Sequence, residues 1–333
     1  MPMRSPEFWS ARPGLVAGLL SPVGAAWDAA GRLRRAVTRP YRAARPVVCV
    51  GNLVAGGSGK TPVVLSLATA LGDSGAAPHA VTRGYGGQLA GPVRVDPARH
   101  DAIAVGDEAL LLARRLPCWV ARDRAAGIRA AIDGGAGAIV LDDGFQNPSV
   151  AKDLALVVVD AEFGFGNARV IPAGPLRERV APGLARADAI VVIGDGAGPE
   201  GLRRSGRPVL RAALRPVAGE RFAGRRLVAF AGIGRPEKFF ATLRRLGATV
   251  AAAHGFPDHH RFRSDQIAAL RREADAAGAT LVTTAKDWVR LAPETRAGIE
   301  VLEVEIAWRD PAALAAVLAP VVAHARRDAA ACG

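Results

Sequence analysis

Apolar residues along this chain come in short continuous runs, at 46–50, 118–121, 138–141, 154–160 and 189–193, with helically spaced segments between many of them. Runs this short suit strands buried on both faces. Their alternation with helices predicts a parallel sheet with crossover helices. The first helix is expected over 60–71, and a stretch rich in Pro, Gly and Arg at roughly 195–225 reads as a boundary. A second alternating set follows: strand 226–231, helix 236–246, strand 249–253, helix 264–277 with Ser264 as N-cap, strands 280–284 and 300–306, and helix 310–326. The expected fold is α/β in three parts. A P-loop-like core with a parallel sheet and flanking helices covers 46–218, and a smaller α/β lobe over 219–333 closes a cleft, its terminal helix able to pack back on the core. An N-terminal helical segment covers 1–45.

Residues 13–27, PGLVAGLLSPVGAAW, carry no charge and precede Asp28 and the cluster RLRR at 32–35. A spanning helix needs about 20 apolar residues; this run is shorter and holds two prolines and three glycines. A secretory leader places its positive charges before the apolar run, whereas Arg32, Arg34, Arg35 and Arg39 come after it. Two readings stand: an interfacial helix with its arginines at anionic headgroups, or a helix packed on the protein's own core.

Charge narrows the partners. The 333 residues carry a formal +13, with only Lys60, Lys152, Lys238 and Lys286 among 44 Lys and Arg. A basic balance suits nucleic acid, an anionic membrane or a phosphorylated substrate. Aromatics make up 5% of the chain and are not interleaved with basic residues, which argues against nucleic acid. Cys49, Cys118 and Cys332 share no metal-like spacing and read as inert thiols of a reducing compartment.

The chemistry gathers at VGNLVAGGSGKTP, residues 50–62, where a strand runs into glycines and then a helix. Glycines let backbone N–H groups converge on phosphate without a Cβ in the way. Gly59, Lys60 and Thr61 fit the phosphate-binding consensus, but its leading glycine position holds Val54, so Gly56 and Gly57 must supply the freedom. Lys60 is placed to reach the β/γ-phosphates and the Thr61 hydroxyl to hold Mg²⁺. AIVLDD at 138–143 ends an apolar run on two carboxylates. The carboxyl end of a strand is where open α/β sheets bind ligands, and a hard cation takes such oxygens. Asp142 and Asp143 are therefore metal candidates, an ordinary Asp-Gly turn being the plainer alternative.

Together with that loop, TRGYGG (82–87), GDEALLLA (106–113), DDGFQ (142–146), IPAGPLRE (171–178), AFAGIGRPEKFF (229–240) and FPDHHRF (256–262) resemble the tetraacyldisaccharide 4'-kinase family. The resemblance runs in order from about Pro13 to about Leu291. It implies transfer of phosphate from ATP, with Mg²⁺, to the 4'-hydroxyl of a tetraacylated glucosamine disaccharide 1-phosphate. It also implies a monomer with two α/β lobes, resting by its N-terminal helix on the cytoplasmic face of the inner membrane of a Gram-negative bacterium. Two departures are visible: Ser58 stands where the family usually has Thr, and Ala285 replaces the glutamate of its Thr-Glu-Lys-Asp run.

The resemblance points to Asp107 as the base and to His259 as its partner, arriving from the second lobe; His260 competes for that role. The cradle it implies for the nucleotide is Asn52, Gly56, Gly57, Ser58, Gly59, Lys60 and Thr61. Arg124, Arg177 and Glu178 are candidates for the nucleotide or the lipid phosphate, because a guanidinium fork suits phosphate. Gln146 could orient a water on the metal, and Tyr85 could pack near substrate or nucleotide. Two other classes compete with the kinase reading. A P-loop GTPase should carry an Asn-Lys-x-Asp run, and the nearest match, Ala285-Lys286-Asp287, lacks the asparagine. A metallochaperone-type switch should show clustered Cys or His, and the cysteines are scattered.

Overall fold

The computed structural model describes residues 6–11 and 13–332, without the side chains of 203 and 328–332. The strands are β1 (Val47–Gly51), β2 (Pro78–Thr82), β3 (Val93–Arg94), β4 (Cys118–Val120), β5 (Ala138–Asp142), β6 (Leu154–Asp160), β7 (Ala189–Ile193), β8 (Val209–Pro216), β9 (Arg226–Ala231), β10 (Thr249–Gly255), β11 (Thr280–Thr284), β12 (Glu300–Leu302) and β13 (Val304–Trp308). The α-helices are α1 (Leu15–Val37), α2 (Lys60–Asp73), α3 (Ala102–Val105), α4 (Asp107–Ala113), α5 (Arg124–Asp133), α6 (Val180–Ala185), α7 (Pro236–Arg245), α8 (Ser264–Ala276), α9 (Ala285–Trp288) and α10 (Pro311–Cys332).

Two sheets form. One has nine strands in the order β13-β8-β7-β6-β1-β5-β2-β4-β3, and the other four in the order β10-β9-β11-β12. The interior of the larger sheet is parallel, as the apolar runs predict, and its edge strands β3 and β13 are antiparallel to their neighbours. Successive residues of β1 serve opposite faces. Val48 and Val50 join the core under α2, α4 and α10, while Val47 and Cys49 join the core on the other face. Burial pushes the Cys49 thiol up to about 12 and keeps it protonated. Cys118 is likewise buried, and the Cys332 side chain lies outside the described residues.

Two strand expectations are corrected. The strand expected over 300–306 is two: β12 closes the small sheet, and β13, beyond Glu303, crosses to pair with β8. β8 itself lies inside the stretch expected to be a boundary. The chain thus returns to the larger sheet, and α10 packs there through Leu314, Leu318, Val321 and Ala325. Trp308 Nε1 donates to Ser66 Oγ at 2.8 Å to seal that return.

α1 divides its faces. Gly24 approaches so closely that a Cβ there would meet Val170 O at 2.7 Å. Asp28, only 2% exposed, accepts from Arg179 Nε at 2.9 Å and faces Arg32. The opposite face presents Leu15, Leu19, Val23, Trp27, Leu33 and Val37 to the exterior. No helix among the described residues is long and apolar enough to cross a membrane.

Candidate active site

β1 and β5 are neighbours with Val50 opposite Asp142, so the glycine loop and the paired aspartates emerge side by side at one sheet edge. Asn52 Nδ2 donates to Ser58 Oγ at 2.9 Å and to Gly56 O at 3.4 Å, pinning the loop from within. Gly56 and Gly59 take φ of 105° and 81°, and a Cβ on Gly56 or Gly57 would meet nothing within 4 Å. The loop therefore opens outward, with room beside its backbone amides. Val54 explains the missing leading glycine: it forms a bridge with Leu176, in an extended conformation that needs no glycine.

Lys60 is nearly buried, with Nζ 3.8 Å from Asp143 Oδ1. Asp143 is left-handed, at φ 54°, and takes both arms of Arg177 at 2.9 and 3.0 Å. Burial opposes its charge, but Lys60 and Arg177 outweigh burial and hold the carboxyl below its ordinary range. Asp142 differs. It is fully buried, and neither oxygen has a hydrogen-bond partner among the described residues. Burial and then the nearby Glu108 push its carboxyl up to about 8. A buried carboxylate without a donor is costly unless a cation completes it. The oxygens of Asp142, with the Thr61 hydroxyl at the start of α2, are the kind of donor set a hard divalent cation takes.

Arg124 is buried beside this pair. Its Nη1 donates to Ala121 O at 2.6 Å, and its Nε has no partner among the described residues. Burial and then the nearby Arg83 lower its pKa, against the pull of Asp143 and Asp142. Two of the expected contacts are turned inward instead. Glu178 is held by Arg186 at 2.6 and 2.9 Å and by Arg35. Gln146 Nε2 donates to Asn52 O and to Glu178, and its Oε1 accepts from Arg177. Gln146 thereby ties Asn52, at the start of the glycine loop, to Glu178.

A second cluster joins the two sheets. Gly106 precedes α4 at φ 86°, and a Cβ on it would meet Tyr85 O at 2.5 Å, so the TRGYGG loop packs directly against the residue just before Asp107. His259 Nδ1 comes from the small-sheet lobe to within 3.0 Å of Asp107 Oδ2. His259 is left-handed at φ 58°, held there by its N–H on Gly232 O. The Tyr85 ring lies 5.5 Å from its imidazole. His260 points elsewhere, stacked on Phe256 at 4.8 Å and bonded to Gln266, which separates the two histidines. Burial disfavours the Asp107 charge, but the His259 hydrogen bond, Lys286 and Arg290 hold its carboxyl well below the usual range.

Arg290 is a site residue that motif reading does not single out. Its Nε donates to Asp107 Oδ2 at 2.6 Å, its Nη2 reaches the same oxygen, and Nη1 donates to Asp287 and Gly232 O. Lys286 pairs with Glu108 at 3.1 Å. The signal lies in TAKDWVR (284–290), where a cation stands one turn after Asp287. Because Lys286 and Asp287 are engaged in these pairs, they are not free to read a guanine base.

A family model described as tetraacyldisaccharide-1-P 4'-kinase matches residues 16–323. The tetraacyldisaccharide 4'-kinase of Rhodospirillum centenum is 57% identical, the alignment covering 96% of this chain and 97% of that protein. That of Paramagnetospirillum magneticum is 54% identical, over 94% and 97%. The solved "apo" form of LpxK from Aquifex aeolicus in complex with ATP shares the fold at a TM-score of 0.75 and 24% identity, covering 92% of this chain and 100% of that one. A family model matching most of the chain and relatives more than half identical over nearly its whole length show that this chain belongs to the tetraacyldisaccharide-1-P 4'-kinase family.

Proposed function

We infer that the protein transfers the γ-phosphoryl group of ATP to the 4'-hydroxyl of a tetraacylated glucosamine disaccharide 1-phosphate, a step of lipid A biosynthesis. The observation that carries this is Asp142: a buried carboxylate with no donor among the described residues, one strand from an open glycine loop. Asp142 and Thr61 would hold Mg²⁺, which supplies charge neutralisation on the β- and γ-phosphates. The loop amides of 56–61 cradle the phosphates, and Lys60 offsets their charge. Arg124 supplies the buried guanidinium arm that lacks an anion. Asp143, clamped by Arg177, keeps Lys60 in line.

The acceptor oxygen attacks the γ-phosphorus as the bond to the bridging oxygen breaks, and Asp107 accepts the hydroxyl proton. His259 orients that carboxylate. A loose transition state asks little basicity of the acceptor early on, so a carboxylate of depressed pKa can serve. The exposed apolar face of α1, with the exposed Arg32, Arg34 and Arg39 nearby, supports a monotopic seat on the cytoplasmic face of the inner membrane, where the acylated substrate lies. We read the active unit as a monomer, since α4, α9 and the His259 loop of one chain complete the centre.

The test is direct. The purified protein in detergent, given ATP, Mg²⁺ and the tetraacyl disaccharide 1-phosphate, should yield a bisphosphate product. ATP turnover on another acceptor with none on this one would overturn the substrate assignment.

A further inference from the structure

Asp107 Oδ2 takes donors from two residues, and the guanidinium of Arg290 reaches it twice, through Nε at 2.6 Å and through Nη2. His259 Nδ1 completes the set at 3.0 Å and lies 3.3 Å from Arg290 Nη2. The third arm of Arg290 is fixed as firmly: Nη1 donates to Gly232 O at 2.6 Å and to Asp287 Oδ1 at 2.8 Å. Asp287 is itself held, accepting from Gly232 N on Oδ1 and from Thr284 Oγ1 on Oδ2. The Arg290 side chain is 4% exposed. A guanidinium locked at three nitrogens is a rigid fork, and it dictates how the facing carboxylate is turned. The other oxygen, Asp107 Oδ1, accepts the backbone N–H of Glu108 at 2.9 Å and no other donor among the described residues.

We propose that Arg290 is a positioning residue for phosphoryl transfer, acting through Asp107: it occupies Oδ2, leaves Oδ1 for the acceptor hydroxyl, and keeps the carboxylate charged beside His259. This rests on Asp107 as the proton acceptor. Titratable and charged groups surround Asp107 from both lobes. His259, Lys286 and Arg290 face it from the small-sheet lobe, Glu108 follows it on its own helix, and Asp258 stands 3.9 Å from His259 Nε2. Arg290 brings a permanent positive charge and two hydrogen bonds to Oδ2, so it both neutralises the carboxylate and fixes its rotation. Removing it should raise the pH at which Asp107 takes a proton and let the carboxylate swing.

The experiment measures kcat against pH, KM for ATP and thermal melting for the whole enzyme and for Arg290→Met, Arg290→Lys and Asp107→Asn. Arg290→Met should lower kcat about 30-fold or more at neutral pH and leave KM for ATP within about twofold. The acid limb of its kcat profile should move up by about one pH unit. Arg290→Lys keeps the charge but loses the fork, so it should restore most of the limb position and only part of kcat; it also serves if the Met variant fails to fold. A lower melting temperature with kcat and the acid limb unchanged would assign Arg290 to lobe docking alone and overturn the proposal. Full activity in Asp107→Asn would instead remove the reading beneath it. An inactive Asp107→Asn beside an unshifted Arg290→Met profile removes only the positioning role of Arg290 and spares Asp107 as the base.

Discussion

Asp142 and Asp107 are both buried aspartates at the ends of regular elements, yet the fold treats them in opposite ways. Asp107 is given His259 and Arg290 by the small-sheet lobe and is held charged. Among the described residues Asp142 is given no donor, and burial raises its affinity for a proton. A carboxylate satisfied by its own chain is pre-oriented for work at a fixed angle. One left unsatisfied is a standing cost, which a bound cation would offset, as we propose for Asp142.

The contrast can be broken most forcefully through activity. Asp142→Asn should cut kcat roughly 1,000-fold, the scale of losing metal-borne charge stabilisation, and Asp107→Asn should cut it about 100-fold or more. Steady-state kinetics at saturating ATP would measure both. Stability should then split them in sign. Without Mg²⁺, Asp142→Asn should melt higher than the parent by the equivalent of about 1–2 kcal/mol, because an unpaired buried carboxylate is removed. Asp107→Asn should melt lower by roughly 2–3 kcal/mol, because Arg290 and His259 lose a charged partner. Equal shifts in one direction would dissolve the distinction.

Acidity sharpens it further. The Asp107 carboxyl titrates lower in the folded chain than in the unfolded one. Its contribution is complete above about pH 4 and drains away as pH falls further. Melting curves of the parent and Asp107→Asn should therefore converge below that pH. For Asp142 the sign reverses. With its folded pKa raised to about 8, the metal-free parent loses stability as pH climbs from about 4 toward 8, so the advantage of Asp142→Asn should open over that window. The smallest effect is expected at His260, which packs on Phe256 and Gln266 away from the centre. His260→Ala should lose about 1 kcal/mol of stability and keep kcat within about twofold.

The parallel interior of the large sheet was legible because β5, β6 and β7 are continuous apolar runs that can only be buried on both faces. β2 and β8 were not. Pro78 and His79 interrupt the one, and Arg211 and Arg215 break the other, so neighbours rather than composition make them strands. The split at Glu303 was equally hidden, since which sheet recruits β13 is settled by pairing with residues some ninety positions earlier. In the site, the glycine loop and the aspartate pair could be read as motifs. The inward turn of Glu178 and Gln146 could not, because it depends on Arg186 and Arg35 arriving from other elements.

By itself the sequence determined the local chemistry: a loop whose glycines free its backbone, a strand ending on two carboxylates, and a helix with an apolar face. These depend on neighbours a few residues apart, where backbone sterics and periodicity suffice. Only the tertiary structure decided which carboxylate stays unpaired, which of two adjacent histidines meets Asp107, and that Arg290 joins them from 183 positions away. Those outcomes depend on which side chains share a buried volume, and burial sets both the cost of a lone charge and the strength of a paired one.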